Sequence, residues 1–299
     1  SRRRFLQHAA AAGAVIGFPA VIPASALGAE GRPAPSNRIT IGAIGVGGQG
    51  NGNLGGFLGD PRCQVVAVSD VDRNNAERTQ RRVNEVYNNQ DCASYPDFRD
   101  LVARDDIDAI SLATPDHWHA VVAIMSATSG KDIYGEKPFS HDLREGRAMV
   151  DAVNQYGRIW QTGSWQRSTG DFRFACELVR NGRIGKLHTV EVGLPTGGGG
   201  GNAPFTDPPA NIDYDFWCGP APWAPYSADR THWNWRWQMD YGGGQLMDWV
   251  GHHGDIAQWG LGADTTGAVE FNPIFADFPQ TGIWDAATRY RIECTYANG

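Results

Sequence analysis

The chain has 299 residues, 41% of them hydrophobic and 20% charged, which excludes a disordered or fibrous protein and leaves room for about two globular domains. Its formal charge of −7 argues against a nucleic-acid partner. Five scattered cysteines (Cys63, Cys92, Cys176, Cys218 and Cys294) form no C-x-x-C pair and no metal-ligand spacing, so neither a zinc site nor a disulfide scaffold is expected.

At the start, Arg2, Arg3 and Arg4 precede a weakly apolar stretch from Ala9 to Ile22 and small residues at Ala24-Ser25-Ala26. That is the layout of an export leader over residues 1–28. The paired arginines before Phe5-Leu6 match the twin-arginine signal, whose machinery exports folded proteins to an extracytoplasmic or periplasmic location. Without those three arginines the chain carries 23 basic against 33 acidic residues. Residues 29–36, rich in proline, read as a linker.

Ile39, Ile41 and Ile44 then form a short apolar run, the pattern of a parallel strand buried on both faces. It feeds directly into Gly45-Val46-Gly47-Gly48-Gln49-Gly50, a G-x-G-x-x-G placed between a strand and a helix. In that context Gly45 allows the tight turn, Gly47 lets backbone amides approach a pyrophosphate, and Gly50 lets the helix pack close. A second strand, Val65 to Val68, ends at Asp70, where a carboxylate can accept from ribose hydroxyls and repel a 2′-phosphate. NAD is therefore expected over NADP, with Arg73 the residue that could soften the preference.

Strand and helix continue to alternate. Asn74 to Tyr87 reads as a helix, Ile107 to Ala113 as a strand, Val121 to Met125 as part of a helix and Asp132 to Gly135 as a strand. A helix from Asp142 to Tyr156, capped by Ser140, and a strand from Ile159 to Thr162 complete a doubly wound parallel Rossmann domain over residues 37–162. Beyond it, over 163–299, come a helix from Asp171 to Asn181, a strand from Leu187 to Val192 and a five-glycine loop, Gly197 to Gly201. Trp233, Trp235 and Trp237 alternate with His232, Asn234 and Arg236; as a strand this stretch would have one aromatic face, able to stack on a sugar or to fill a core. The chain stops after an alternating stretch, Arg289 to Tyr296, and reads as a piece of a longer protein.

Two constellations offer chemistry. Gly135-Glu136-Lys137-Pro138 stands at the C-terminal end of a parallel strand, where ligands bind in open sheets, and its lysine can orient a hydroxyl. In Gly242 to Ala257, at about 100° per residue, Asp248, His252 and Asp255 share a helical arc of about 60°. His252 is the expected base, with Asp248 one turn away fixing its tautomer and raising its basicity, while His253 joins the apolar side. His117 and His119 lack the i, i+4 pairing with a catalytic acid that a metal site would show, so no metal is expected.

Together the glycine motif, Ala113-Thr114-Pro115-Asp116-His117-Trp118-His119, Gly135-Glu136-Lys137-Pro138 and Asp248…His252…Asp255 resemble the Gfo/Idh/MocA oxidoreductase family from about Arg38 to Gly299. The resemblance implies a Rossmann domain followed by an α+β domain whose mixed, mostly antiparallel open sheet is incomplete in this chain and forms a homo-oligomer contact. It implies that Lys137 and His252 act as the catalytic pair with Asp248 in support, and that the Lys137-Pro138 bond is cis. Gly45, Gly47, Gly48, Gln49, Gly50, Asp70, Thr114, Pro115, His119, Glu136 and Lys137 would contact a tightly bound NAD. Gln166, Arg167 and Trp235 would join Lys137, Asp248 and His252 around the substrate. The expected activity is hydride transfer between nicotinamide and a carbinol carbon of a sugar or cyclic polyol. The rivals are an NAD-dependent glycosidase that oxidises its sugar transiently and a catalytically silent binding protein. Val250 stands where the family usually has glycine, which marks the backbone after Asp248 as a departure.

Overall fold

The computed structural model describes residues 33–297; the expected export leader and the start of the linker lie outside the described residues. Six parallel strands form one sheet in the order β3-β2-β1-β4-β5-β6. They are β1 (Ile39–Ile44), β2 (Cys63–Ser69), β3 (Ala93–Tyr95), β4 (Ala109–Leu112), β5 (Asp132–Gly135) and β6 (Trp160–Thr162). The crossovers are α1 (Gly48–Gly59), α2 (Arg73–Tyr87), α3 (Phe98–Val102), α4 (Asp116–Thr128) and α5 (Leu143–Gln155). β3 and α3 are additions to the pattern expected from sequence. Three-residue β3 is too short to show a period.

The apolar runs of β1, β2 and β4 are explained by burial on both faces. One face packs on Leu101, Ile107, Val122 and Met149, the other on Val46, Leu54 and Val83, all 2% exposed or less. Each such side chain stabilises the fold by about 1.5–3 kcal/mol through burial. Ile44 pairs with Ser69 on one side and Leu112 on the other, so Gly45, Asp70 and Ala113 emerge at one edge of the sheet. That edge is the switch point where the strand order reverses, the place in open α/β sheets where ligands bind.

α5 is capped by Asp142, whose carboxylate accepts from the Arg144 and Glu145 amides, rather than by Ser140. After α6 (Gly170–Arg180) the chain runs without regular structure through Leu187 to Val192, since that stretch finds no ladder partner among the described residues. α7 (Tyr214–Cys218) enters an aromatic cluster in which Tyr214, Trp217, Tyr226 and Tyr241 are buried together. Asn234–Trp237 is a short 3-10 helix rather than a strand, so its tryptophans splay around the turn. α8 (Gly244–Trp249) and α9 (Asp255–Gly260) are separated by a π turn, Val250–Gly254. β7 (Ala268–Asp277) and β8 (Arg289–Tyr296) pair antiparallel, the described part of the second sheet.

Gly50 shows why the helix can approach β1: a Cβ there would lie 1.9 Å from the Gly45 carbonyl oxygen. Gly50→Ala is expected to cost about 1–3 kcal/mol by overpacking, read as a lowered Tm in thermal denaturation. An unchanged Tm would remove the close approach from the explanation of this turn.

Candidate active site

A cavity of about 850 Å³ opens over the switch point. At its floor Gly45 has φ +76°, and a Cβ there would meet the Ala113 carbonyl at 2.7 Å, so glycine is required. Gly47 and Gly48 line the cavity and leave space open in front of the α1 N-terminus, which has no side-chain cap. The unpaired amides of that first turn form a natural anion site. Asp70 lines the same cavity and accepts from the Val46 amide at 2.9 Å and the Asp72 amide at 2.8 Å. Desolvation pushes its carboxyl up to about 6. Thr114, which lines the cavity, has its Oγ1 buried without a hydrogen-bond partner among the described residues.

Gln49 and Glu136 are joined: the Gln49 amide and the Asn53 amide both donate to Glu136 Oε1, at 2.9 and 3.0 Å. They tie α1 to the end of β5. His119 stands behind the wall, with Nδ1 2.8 Å from the Pro138 carbonyl oxygen and Nε2 3.0 Å from that of Thr114, and its single N–H donates to one of them. It shapes the two motif turns from within. His117 is likewise buried against the Trp217 carbonyl, at 3.0 Å, where burial lowers its imidazole to about 4.

Lys137 projects from the end of β5, and the Lys137-Pro138 bond is cis. Its ammonium is in direct contact with the Asp248 carboxylate, and Arg236 Nε lies 3.4 Å from the other oxygen. Burial works against ionisation of Asp248, but the two cations more than offset it and hold the carboxyl below its ordinary range. His252, 9% exposed, is flanked edge-on by Trp165 and Trp249, each with ring centroids 5.7 Å away. Its Nδ1 has no hydrogen-bond partner among the described residues, so Asp248 does not fix its tautomer. Burial, followed by the Lys137 charge, lowers its basicity, the reverse of the effect expected from an Asp248 partner. Asp248 is instead committed to the cations.

The π turn accounts for the rest of the difference. An extra residue in the turn slips the helical phase, and Asp255 leaves the face of Asp248 and His252 to bind Arg167 through two contacts of 2.7 and 2.8 Å. Arg167 also meets Asp264 at 3.0 Å. Gln166 bonds His253 Nδ1 at 3.1 Å. Neither Gln166 nor Arg167 lines the cavity, so the structure does not bring them to the substrate end. Trp235 does line it, and so do residues that the sequence reading did not single out: Asp116, Arg236, Trp165 and His232. Asp116 stood within the Ala113–His119 motif, and His232 and Arg236 within the tryptophan-rich stretch.

Residues 39–164 match an oxidoreductase family's NAD-binding Rossmann fold, and residues 195–299 match that family's C-terminal alpha/beta domain. The chain belongs to the Gfo/Idh/MocA oxidoreductase family. This Gfo/Idh/MocA chain is 28% identical over 270 residues to the uncharacterized oxidoreductase YrbE of Bacillus subtilis, covering 88% of this chain and 65% of that protein. It is 31% identical over 202 residues to a glycosyl hydrolase family 109 protein of Saccharopolyspora erythraea, covering 62% and 44%. It thus spans less than two thirds of the length of these relatives. Among solved structures, the WlbA dehydrogenase of Chromobacterium violaceum, in complex with NADH and UDP-GlcNAcA, shares the fold at a TM-score of 0.64 and 17% identity, over 90% of this chain and 66% of that one. The open glycine cradle, the uncapped helix and the unpartnered Thr114 hydroxyl fit a dinucleotide.

Gly251, in the π turn, packs under the lysine: a Cβ there would lie 3.3 Å from Lys137 Cβ and Cδ. Gly251→Ala is expected to shift the ammonium by a few tenths of an ångström and lower kcat roughly tenfold with little change in Tm. An unaltered kcat would show that the lysine stem is not positioned by this turn.

Proposed function

We propose that this protein is an NAD-dependent oxidoreductase that interconverts a carbinol and a carbonyl on a sugar or cyclic polyol. The observation that carries the reading is the Lys137–Asp248 ion pair beside a buried, neutral His252, all facing one cavity with the glycine cradle. When bound, the nicotinamide supplies the acceptor for the hydride leaving the carbinol carbon. The Lys137 ammonium, aimed by Asp248, donates a hydrogen bond to the substrate oxygen and stabilises charge developing there. His252 takes the hydroxyl proton, and Arg236 keeps Asp248 ionised so that the lysine stays in place. Trp165, Trp235 and Trp249 offer faces for a sugar ring and keep water out.

Several features support NAD over NADP. Arg73 is turned away from the cavity, its guanidinium donating to the Ala210 carbonyl at 3.0 Å. Asp70 and Asp72 place two carboxyls beside the ribose position, where they would repel a 2′-phosphate. Tight retention is supported by a strap: Ile212 bridges Asp72, and the Asp213 amide donates to the Val71 carbonyl at 3.0 Å. The arginine pair and apolar stretch at the start support export of the loaded protein. Exposed Val269 and Phe271 on the β7–β8 pair support an oligomer contact through that sheet. A second reading, transient oxidation followed by loss of an aglycone, draws support from the glycosyl hydrolase family 109 relative. Net NADH formation from a polyol supports the dehydrogenase, and glycoside cleavage without net NADH supports the second reading.

Lys137→Ala is expected to lower kcat by more than about 100-fold while NAD affinity, measured by fluorescence titration, stays intact. Full turnover in that variant would remove Lys137 from the mechanism. A pH profile tests His252: because its folded value lies below the ordinary 6.5, activity should fall only on the acid side of that value. Unfolding frees the imidazole to bind a proton, so stability from this group is likewise lost as pH falls below 6.5. His252→Ala should abolish the acid limb of kcat/KM; a limb that survives unchanged would assign the base elsewhere.

A further inference from the structure

Asp116 is the first residue of α4, directly after the Thr114-Pro115 turn. It is 3% exposed and lines the cavity, yet no hydrogen bond reaches its carboxyl among the described residues. Its Oδ2 lies over Gly242, close enough that a Cβ there would be 3.2 Å away. The charges acting on it are those of Lys137, Asp248 and Arg236. Both cations are already engaged, Lys137 with Asp248 and Arg236 with the Trp233 carbonyl and Asp248. Native proteins seldom leave a buried carboxyl unbonded, and one that faces a cavity is available to a ligand.

We propose that the Asp116 carboxyl binds a second hydroxyl of the substrate, adjacent to the one held by Lys137 and His252. The proposal rests on the polyol reading above. Burial raises this carboxyl well above its ordinary range, against the lowering effect of the Lys137 and Arg236 charges. The carboxyl offers an acceptor to a hydroxyl in either protonation state, and a donor as well when it carries its proton. A polyol hydroxyl can donate to this carboxyl, whereas a phosphate or carboxylate at this position would bring an anion against it. The pocket would thereby read two neighbouring hydroxyls, the reacting one by its proton and the next by its position.

The test uses the full-length, NAD-loaded protein titrated calorimetrically with myo-inositol, D-glucose and their monodeoxy analogues. Wild type is expected to lose about 10- to 100-fold in affinity for one analogue of a bound polyol. Asp116→Ala should bind the parent polyol that much more weakly and no longer discriminate against that analogue. Asp116→Asn, which keeps a donor and an acceptor, should stay within about fivefold of wild type. Equal polyol affinity in Asp116→Ala and wild type, or weakened NAD binding with polyol binding intact, would overturn the assignment. Failure of wild type to bind any of these polyols would sink the polyol reading itself, and this proposal with it. Should Asp116→Ala not fold, a crystal structure of the wild-type holoenzyme with the bound polyol decides the point: an Asp116 carboxyl without a polyol oxygen in hydrogen-bonding distance would overturn it.

Discussion

The ion pair between Lys137 and Asp248 joins the end of β5 to the α8 helix, 111 residues further along the chain. Both side chains are largely shielded, 14% and 16% exposed, so each charge gives up most of its hydration. Such a pair adds little net stability, because desolvation offsets its attraction. Removing one partner is a different matter: it strands a charge and costs about 3–5 kcal/mol. The pair therefore works as a register pin, accepting only one docking of the second half of the chain against the sheet edge. His252, Trp249 and Arg236 reach the cavity because that docking is fixed.

The π turn is the local cost of this arrangement. A regular helix through Val250 would send Asp255 into the cavity beside Asp248, adding a further acid to a site that already holds Asp116 and Asp248 with two cations. The slip of phase instead gives Asp255 to Arg167, outside the cavity, and leaves Asp248 alone between Lys137 and Arg236. Gly251 follows from the same constraint, since the turn brings its backbone against the lysine stem. The departure from glycine at Val250 and the glycine that follows it belong to one adjustment.

Much of the Rossmann half was legible in the sequence, because its signals are local. Ile41 to Ile44 shows a buried strand by composition, and Gly45 and Gly50 have a steric meaning that the observed contacts reproduce. The site was legible only as far as its residues sat on one motif. Lys137, Asp248 and His252 share the cavity, but helical periodicity cannot register a π turn, so Asp255 and the Asp248–His252 pairing were misplaced. Gln166 and Arg167 were misplaced for another reason: their partners, His253 and Asp255, are more than 80 residues away. Asp116 and Arg236 sit inside stretches that stand out in the sequence, but nothing local assigns them a role, since their chemistry depends on burial and on neighbours distant in sequence. The tryptophans between Trp233 and Trp237 alternate as a strand would, yet tertiary packing folds them as a tight helical turn.

The strap over the Asp70 to Arg73 loop has a kinetic consequence. Residues 210–213 come from the second half of the chain and close onto the first through the Arg73 amide, which donates to the Asn211 carbonyl at 2.9 Å, and the Asn211 side chain, which donates to Asp72 Oδ1 at 2.7 Å. For a nucleotide held beneath them, these bonds would have to open before it could leave. Its residence time would then follow the rate at which the strap lifts, so that two proteins with the same glycine cradle and the same intrinsic affinity can differ widely in how long each holds its nucleotide.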